Sequence, residues 1–131
     1  MLGLLIVSHS GKIADGVRDL AEQASQGRVP IRAAGGASDG SLGTSADLIL
    51  VGARSLVEAG ADQILVLVDL GSAVMSAEMA LEQIERPYRL SNAPLVEGAV
   101  IAAVEASVGS DLEAASAAAE RASELRKVQH D

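Results

Sequence analysis

Leu2-Gly3-Leu4-Leu5-Ile6-Val7-Ser8-His9-Ser10-Gly11-Lys12-Ile13-Ala14-Asp15-Gly16-Val17 is the stretch that decides the fold. Its apolar run ends in Ser-His-Ser-Gly and passes at once into helical spacing. A buried strand therefore delivers His9 to the C-terminal edge of a sheet, beside the positive end of the next helix. Such a position suits an anionic group such as a phosphoryl. A lone histidine after a strand is more often just a loop residue satisfied by backbone, but other features of the chain reverse that balance.

Outward from this stretch, β-rich runs alternate with longer segments of helical period, the signature of an α/β parallel sheet. The expected strands are 2–8, 29–34 and 63–69, with a weaker fourth at 88–91. Their continuous apolar character implies burial on both faces. Ile13, Val17, Leu20, Ala21 and Ala24 recur at helical spacing and predict one apolar helix face. A second helix over 45–59 carries Leu48, Ile49, Val51, Gly52, Leu56 and Val57. A third over 72–84 carries Val74, Met75, Ala77, Met79, Leu81 and Ile84. Pro87 stops the third, Asn92-Ala93-Pro94 reads as a turn, and a fourth helix runs from about Leu95 to Val108, closed by Gly109. Ser110-Asp111-Leu112-Glu113 has capping-box spacing and opens an Ala- and Glu-rich last helix to about Lys127. Being poor in large apolar residues, that helix is either a thin cover for the sheet or part of a subunit interface. The tail at 128–131 is expected to fray, leaving His130 unrelated to chemistry.

At 131 residues the chain is read as one domain, residues 1–131, large enough to bury about 70% of its unfolded surface in one core. Phe and Trp are absent and Tyr88 is the only aromatic, so that core is aliphatic and there are no base-stacking platforms. Ten basic residues against eighteen acidic ones leave a formal charge of -8. That argues against a phosphate-backbone binder, and no nucleic-acid partner is expected. Without cysteine there is no disulfide or thiolate site, and two histidines make a zinc cluster hard to assemble, so no metal is expected. The start of the chain lacks a basic n-region and cleavage site, and every apolar stretch is far shorter than the ~18 residues a membrane span needs. A cytoplasmic location with no membrane contact is the expectation.

Three junctions, 9–11, 35–45 and 69–72, fall at the same edge of a parallel sheet, where open α/β sheets bind ligands. The middle one, Gly35-Gly36-Ala37-Ser38-Asp39-Gly40-Ser41-Leu42-Gly43-Thr44-Ser45, leads into a helix and offers backbone N–H groups to anionic oxygens. Alone it reads equally well as a plain connection. It contains no Gly-Lys-Ser/Thr and no strand precedes a G-x-G-x-x-G, so the chain has no nucleotide fingerprint of its own. Asp69 ends the run Ile64-Leu65-Val66-Leu67-Val68, whose strand should lie beside the first. Its carboxylate is either a helix N-cap or the acceptor of the His9 Nδ1–H, and the two roles are compatible. The second role would fix the tautomer and leave Nε2 as nucleophile. Lys12 and Arg18 are candidates for steering a phosphorylated donor, with solvated surface as the alternative for Lys12.

These residues carry a family resemblance: Leu5-Ile6-Val7-Ser8-His9-Ser10, Gly35-Gly36 with Asp39-Gly40-Ser41-Leu42-Gly43-Thr44-Ser45, and Leu67-Val68-Asp69-Leu70-Gly71-Ser72-Ala73-Val74-Met75-Ser76-Ala77-Glu78. Over nearly its whole length the chain resembles the phosphotransferase subunits of bacterial phosphoenolpyruvate-dependent dihydroxyacetone kinases, whose domain is similar to the mannose-family enzyme IIA of the sugar phosphotransferase system. The resemblance implies an α/β single domain, an open three-layer sandwich with a central, mainly parallel sheet of four to five strands flanked by helices. It implies that His9 is phosphorylated by phospho-HPr and passes the group to ADP on a separate nucleotide-binding kinase subunit, so that dihydroxyacetone is phosphorylated downstream. Asp69 maps onto the carboxylate that orients the histidine, and Ser10, Gly11, Thr44, Ser45, Gly71 and Ser72 onto phosphate-facing positions.

No cofactor is implied beyond the covalent phosphohistidine, and the family is typically homodimeric. Some members continue into HPr-like and enzyme I-like domains, so this sequence either takes HPr and enzyme I from elsewhere or is a fragment of a longer protein. The alternatives are a mannose-type enzyme IIA that hands phosphate to an enzyme IIB, and a non-catalytic dimeric regulatory domain. Against the former stands the absence of a Trp-Gly-Gly-Ser-Pro type of segment after Leu70.

Overall fold

The computed structural model describes residues 1–129; His130 and Asp131, and with them the expectation for His130, lie outside the described residues. The elements follow in the order β1 (Leu2–Ser8), α1 (Gly11–Ser25), β2 (Ile31–Gly35), α2 (Ala46–Glu58), β3 (Gln63–Val68), α3 (Ala73–Leu81), β4 (Tyr88–Ser91), α4 (Leu95–Ser107) and α5 (Leu112–Glu120). A 3-10 turn, Arg121–Glu124, ends them. The four strands pair in parallel in the order β2-β1-β3-β4. The chain moves outward from β1 in one direction to β2 and in the other to β3 and β4, so the order reverses between β1 and β3. Loops leaving the C-terminal ends of those two strands therefore part and leave a crevice between them.

Strand periodicity divides the core into two layers. Leu4, Ile6, Leu65 and Leu67 point to one face, where α1, α4 and α5 cover them with Ala14, Val17, Ala21, Ala99, Ala102, Ala103 and Ala115. Leu5, Val7, Ile64 and Val66 point to the other, under Ile49, Ala53 and Leu56 of α2 and Ala73, Ala77 and Leu81 of α3. β1 and β3 are thus buried on both sides, as their unbroken apolar character requires. The result is the expected open three-layer sandwich, with four strands among the described residues.

Three expectations need correction. The second strand begins at Ile31 rather than Val29, because Pro30 has no N–H to give the ladder; its carbonyl still accepts from the Leu4 amide at 3.0 Å. The expected helix faces put several large side chains in the core that lie outside it. Ile13 and Leu20 of α1, Leu48 and Val51 of α2, and Met75 and Met79 of α3 are exposed, Met75 by 76%. Ala14, Ala53, Ala73 and Ala80 face the sheet in their place, beside Ala21 and Ala77, which are buried as expected. In a core without Phe or Trp, small residues let the helix backbones approach the sheet, and larger neighbours on the same helix are turned aside.

The third correction is at the C-terminal end. The N-cap of α5 is Asp111, whose side chain accepts from the Ala114 amide, and not Ser110, which bonds the Glu105 carboxylate. The helix stops at Glu120, well before Lys127, and Lys127 reaches back to Glu97 of α4 at 2.8 Å.

Candidate functional site

β1 carries Ser8 and His9 to the sheet edge, and β3 carries Asp69 to the same edge one strand away. Val7 and Val68 are ladder partners, and the Asp69 amide still donates to the Val7 carbonyl at 3.1 Å. That register brings the Asp69 carboxylate under the histidine. Its Oδ1 lies 3.0 Å from His9 Nδ1 and accepts from the Leu70 amide at 2.8 Å. Its Oδ2 accepts from the His9 amide and from the Ser8 hydroxyl, each at 2.9 Å. The carboxylate therefore has two donors on each oxygen. Burial pushes the Asp69 carboxyl upward, but the His9 amide, the His9 ring and the Ser8 hydroxyl outweigh it and hold the group below the usual carboxylate range. Asp69 is not the N-cap of α3; that place falls to Ser72, whose side chain makes no capping bond.

Ser72 is instead turned to the imidazole. Its Oγ lies 2.9 Å from His9 Nε2. With the proton held on Nδ1 by Asp69, Nε2 keeps its lone pair and the serine hydroxyl donates to it. The histidine side chain is 27% exposed, so the imidazole is partly open to solvent. Beside Asp69 lies an open depression of about 380 Å³ lined by Leu70, Gly71, Val74, Glu78, Ser91 and Asn92.

Two helix N-termini flank the ring. α1 begins two residues after His9, with Ser10 as N-cap accepting from the Ile13 amide at 3.2 Å, and α3 begins directly after Ser72. Neither has an acidic residue in its first turn, so no carboxylate of its own opposes the positive end of either dipole. Among the described residues, the amides of Gly71 and Ser72 donate to no other protein group, which leaves two donors at the edge where Ser72 meets the ring.

The glycine-rich loop forms the wall opposite. The Gly36 amide donates to the Ser8 carbonyl at 3.1 Å and the Gly43 amide to the His9 carbonyl at 2.9 Å. Gly35 permits this closeness: a Cβ there would lie 2.5 Å from the Ser10 carbonyl oxygen and 2.8 Å from Gly11 Cα. Gly36 takes a φ of 80°, a left-handed conformation that glycine adopts without strain. Thr44 Oγ1 pairs with Ser76 Oγ of α3 at 2.8 Å and so ties the loop to the far side of the crevice. Ser45 caps α2 by accepting from the Leu48 amide at 3.2 Å.

The structure thus brings Asp69 and Ser72 to the His9 imidazole and sets Ser10, Gly11 and Gly71 at the same sheet edge, whereas Thr44 and Ser45 make structural bonds and Ser10 Oγ accepts as the cap of α1. Arg18 is held by Asp15 and Asp19 at 3.4 and 3.2 Å, and Lys12 is exposed in the first turn of α1. Two residues went unnoticed in the sequence, Ser8 and Ser76. A hydroxyl ending an otherwise apolar buried strand is a signal that would have found Ser8. Ser76 carries no comparable signal. Among the described residues no group of three or more His, Asp or Glu is placed to hold a metal, and no helix is long and apolar enough to cross a membrane.

Comparison with known proteins gives this chain a family. The EIIA-man family, described as the PTS system fructose IIA component, matches residues 3–116. The "PTS-dependent dihydroxyacetone kinase, phosphotransferase subunit DhaM" of Lactococcus lactis is 35% identical over 112 residues, 86% of this chain and 88% of that protein. The "PEP-dependent dihydroxyacetone kinase 2, phosphoryl donor subunit DhaM" of Listeria innocua is 36% identical, covering 87% of this chain and 93% of that one. The "PEP-dependent dihydroxyacetone kinase, phosphoryl donor subunit DhaM" of Escherichia coli is 38% identical, but this chain spans only 25% of its length. A crystal structure of a protein of unknown function superposes with a TM-score of 0.77 at 37% identity, covering 99% of this chain and 98% of that one. The match over residues 3–116, together with relatives of similar length aligned nearly end to end, means that the chain belongs to the EIIA-man family and, within it, to the DhaM phosphotransferase subunits.

Proposed function

We propose that this chain is a phosphohistidine carrier that takes a phosphoryl group from phospho-HPr on His9 and delivers it to ADP held by the nucleotide-binding subunit of a dihydroxyacetone kinase. The observation that carries the reading is the His9 imidazole with Nδ1 on Asp69 Oδ1 at 3.0 Å and Nε2 turned outward beneath Ser72. In the loading step the Nε2 lone pair attacks phosphorus, a P–N bond to His9 forms, and the P–N bond to the HPr histidine breaks with its electron pair returning to that ring. In the second step a β-phosphate oxygen of ADP attacks the same phosphorus, the P–Nε2 bond breaks, and ATP leaves with the lone pair restored to His9.

Asp69 balances the charge of the phosphoimidazole through Nδ1–H, so the ring is a competent leaving group without losing its proton. Ser72 Oγ, the amides of Gly71 and Ser72, the Ser10 hydroxyl hydrogen and the Gly11 amide are the donors for the phosphoryl oxygens, the Ser10 amide being already bonded to Ser8 Oγ. Phosphoryl transfer asks mainly for positioning and electrostatic stabilisation, and a shallow site is what a histidine meeting two proteins in turn requires. Thr44 and Ser45 act through the loop that holds the wall of the site. The protein works as a homodimer with no bound cofactor.

The test is the intact mass of the chain after incubation with phosphoenolpyruvate, enzyme I and HPr. An acid-labile gain of one phosphoryl group, lost in His9→Ala, and its discharge by the ADP-loaded kinase subunit but not by an enzyme IIB, is the expected result. No gain, or a gain that survives His9→Ala, refutes the carrier reading.

A further inference from the structure

Ser8 is fully buried, the one hydroxyl in a strand that is otherwise apolar. A buried hydroxyl must be satisfied, and this one has two partners. Its oxygen accepts from the Ser10 amide at 3.0 Å, and its hydrogen goes to Asp69 Oδ2 at 2.9 Å, since an ionised carboxylate can only accept. Ser8 is also the only side chain apart from His9 that donates to Asp69 among the described residues. The remaining donors are two backbone amides, one of them the exposed amide of Leu70.

We propose that Ser8 is a positioning residue for the His9–Asp69 pair, its buried hydroxyl holding the carboxylate plane so that Oδ1 faces the imidazole and the ring proton stays on Nδ1. By donating to Oδ2 the hydroxyl also spreads the carboxylate charge. Asp69 then accepts a hydrogen bond from Nδ1–H without taking the proton, and Nε2 remains the reacting atom. The same oxygen gathers residues 8 to 10 around the carboxylate, so one hydroxyl sets both the acceptor and the loop that carries the ring. This inference rests on the carrier reading only for its kinetic consequence; its structural core concerns the imidazole alone.

The experiment is ¹⁵N NMR of histidine-labelled protein at neutral pH, in a His130→Gln background that leaves one imidazole, comparing wild type with Ser8→Ala, Ser8→Thr and Ser8→Cys. In wild type the Nδ1–H tautomer dominates. Ser8→Ala is expected to erode that preference by about tenfold, as loss of a hydrogen bond to a charged group implies, and Ser8→Thr, which keeps the hydroxyl, to restore it. The same variant lowers the maximal rate of phosphorylation of His9 by about tenfold with the half-saturating concentration of phospho-HPr unchanged.

If Ser8→Ala retains the wild-type tautomer ratio within about twofold, or if a folded Ser8→Thr does not restore a ratio lost in Ser8→Ala, the proposal is wrong. Should Ser8→Ala fail to fold, Ser8→Cys is read by the same criterion, since it keeps the volume and weakens the donor. The NMR result needs no phosphoryl donor. A wild-type protein that takes no phosphate, together with a tautomer shift in Ser8→Ala, would refute the carrier reading and leave the role of Ser8 standing.

Discussion

Replacing Asp69 by Asn is the sharpest test of the site, because the four bonds on the carboxylate cannot all survive in an amide. Each oxygen now accepts two: Oδ1 from His9 Nδ1 and the Leu70 amide, Oδ2 from the Ser8 hydroxyl and the His9 amide. An Asn side chain offers one oxygen and one NH2, so whichever way it turns, its NH2 faces a backbone amide. Turned toward Oδ2's partners it confronts the part-buried His9 amide; turned toward Oδ1's partners it confronts the exposed Leu70 amide, which water can satisfy. The second orientation costs less, and in it the NH2 donates to His9 Nδ1.

The ring proton then moves to Nε2, and the lone pair that attacks phosphorus is gone. A wrong-tautomer Asn at a histidine-orienting carboxylate lowers turnover by about 10⁴-fold in the serine-protease case, and phosphorylation of His9 is expected to fall by ~10³–10⁴-fold. Loss of charge-assisted bonds should also cost about 1.5–3 kcal/mol of stability. Rapid-quench measurement of acid-labile phosphate from phospho-HPr reads the rate, and ¹⁵N NMR reads the tautomer. Phosphorylation within about tenfold of wild type, or an Nδ1–H tautomer in the folded variant, would refute the reasoning.

Gly35→Ala places a methyl 2.5 Å from the Ser10 carbonyl oxygen and 2.8 Å from Gly11 Cα; denaturant melts should show a loss of about 1–3 kcal/mol, with slower loading of His9 because backbone atoms rather than a flexible side-chain end must yield. Thr44→Val removes the bond to Ser76 and is expected to cost about 0.5–1.5 kcal/mol, with faster amide exchange across residues 36–43 and none of the tautomer change seen in Asp69→Asn. Because the Asp69 carboxyl is held below its ordinary value of 3.8 when folded, its contribution to stability is complete above that value and disappears as pH falls through the lower folded value. Thermal melts from pH 6 downward should therefore show a smaller acid-induced drop in Asp69→Asn than in wild type; equal slopes would contradict the shift.

The parallel sheet, its two doubly buried strands and the edge that carries His9 were legible in the sequence for a physical reason. A strand covered on both faces must be apolar at every position, and Leu2 to Val7 and Ile64 to Val68 are. A strand that ends in His and runs straight into a capped helix can only place that residue at the C-terminal edge. Which side of each helix meets the sheet was legible only in part: Val17, Ala21, Ile49, Leu56, Ala77 and Leu81 are buried as expected, but the large residues beside them are not. Hydrophobic periodicity weights large side chains, whereas a sheet approached closely selects alanine, so Met75 and Met79 face out and Ala77 and Ala80 face in. The end of the last helix was likewise unreadable: the helical pattern continues past Glu120, where the chain passes into a 3-10 turn over Arg121–Glu124 and Lys127 lies beside Glu97 of α4.

In the site, His9 and Asp69 stand out by chemistry and position in the chain, and the parallel register of β1 and β3 brings the carboxylate to Nδ1. What only the tertiary structure decided is the division of labour among the hydroxyls. Ser72 meets Nε2, Ser8 holds Asp69, Thr44 ties the loop to Ser76, and Ser45 caps a helix. A hydroxyl both donates and accepts over a short reach, so its role is set by which group lies within about 3 Å. That neighbour comes from a segment 32 to 63 residues away for three of these four side chains, a distance over which local sequence carries no signal.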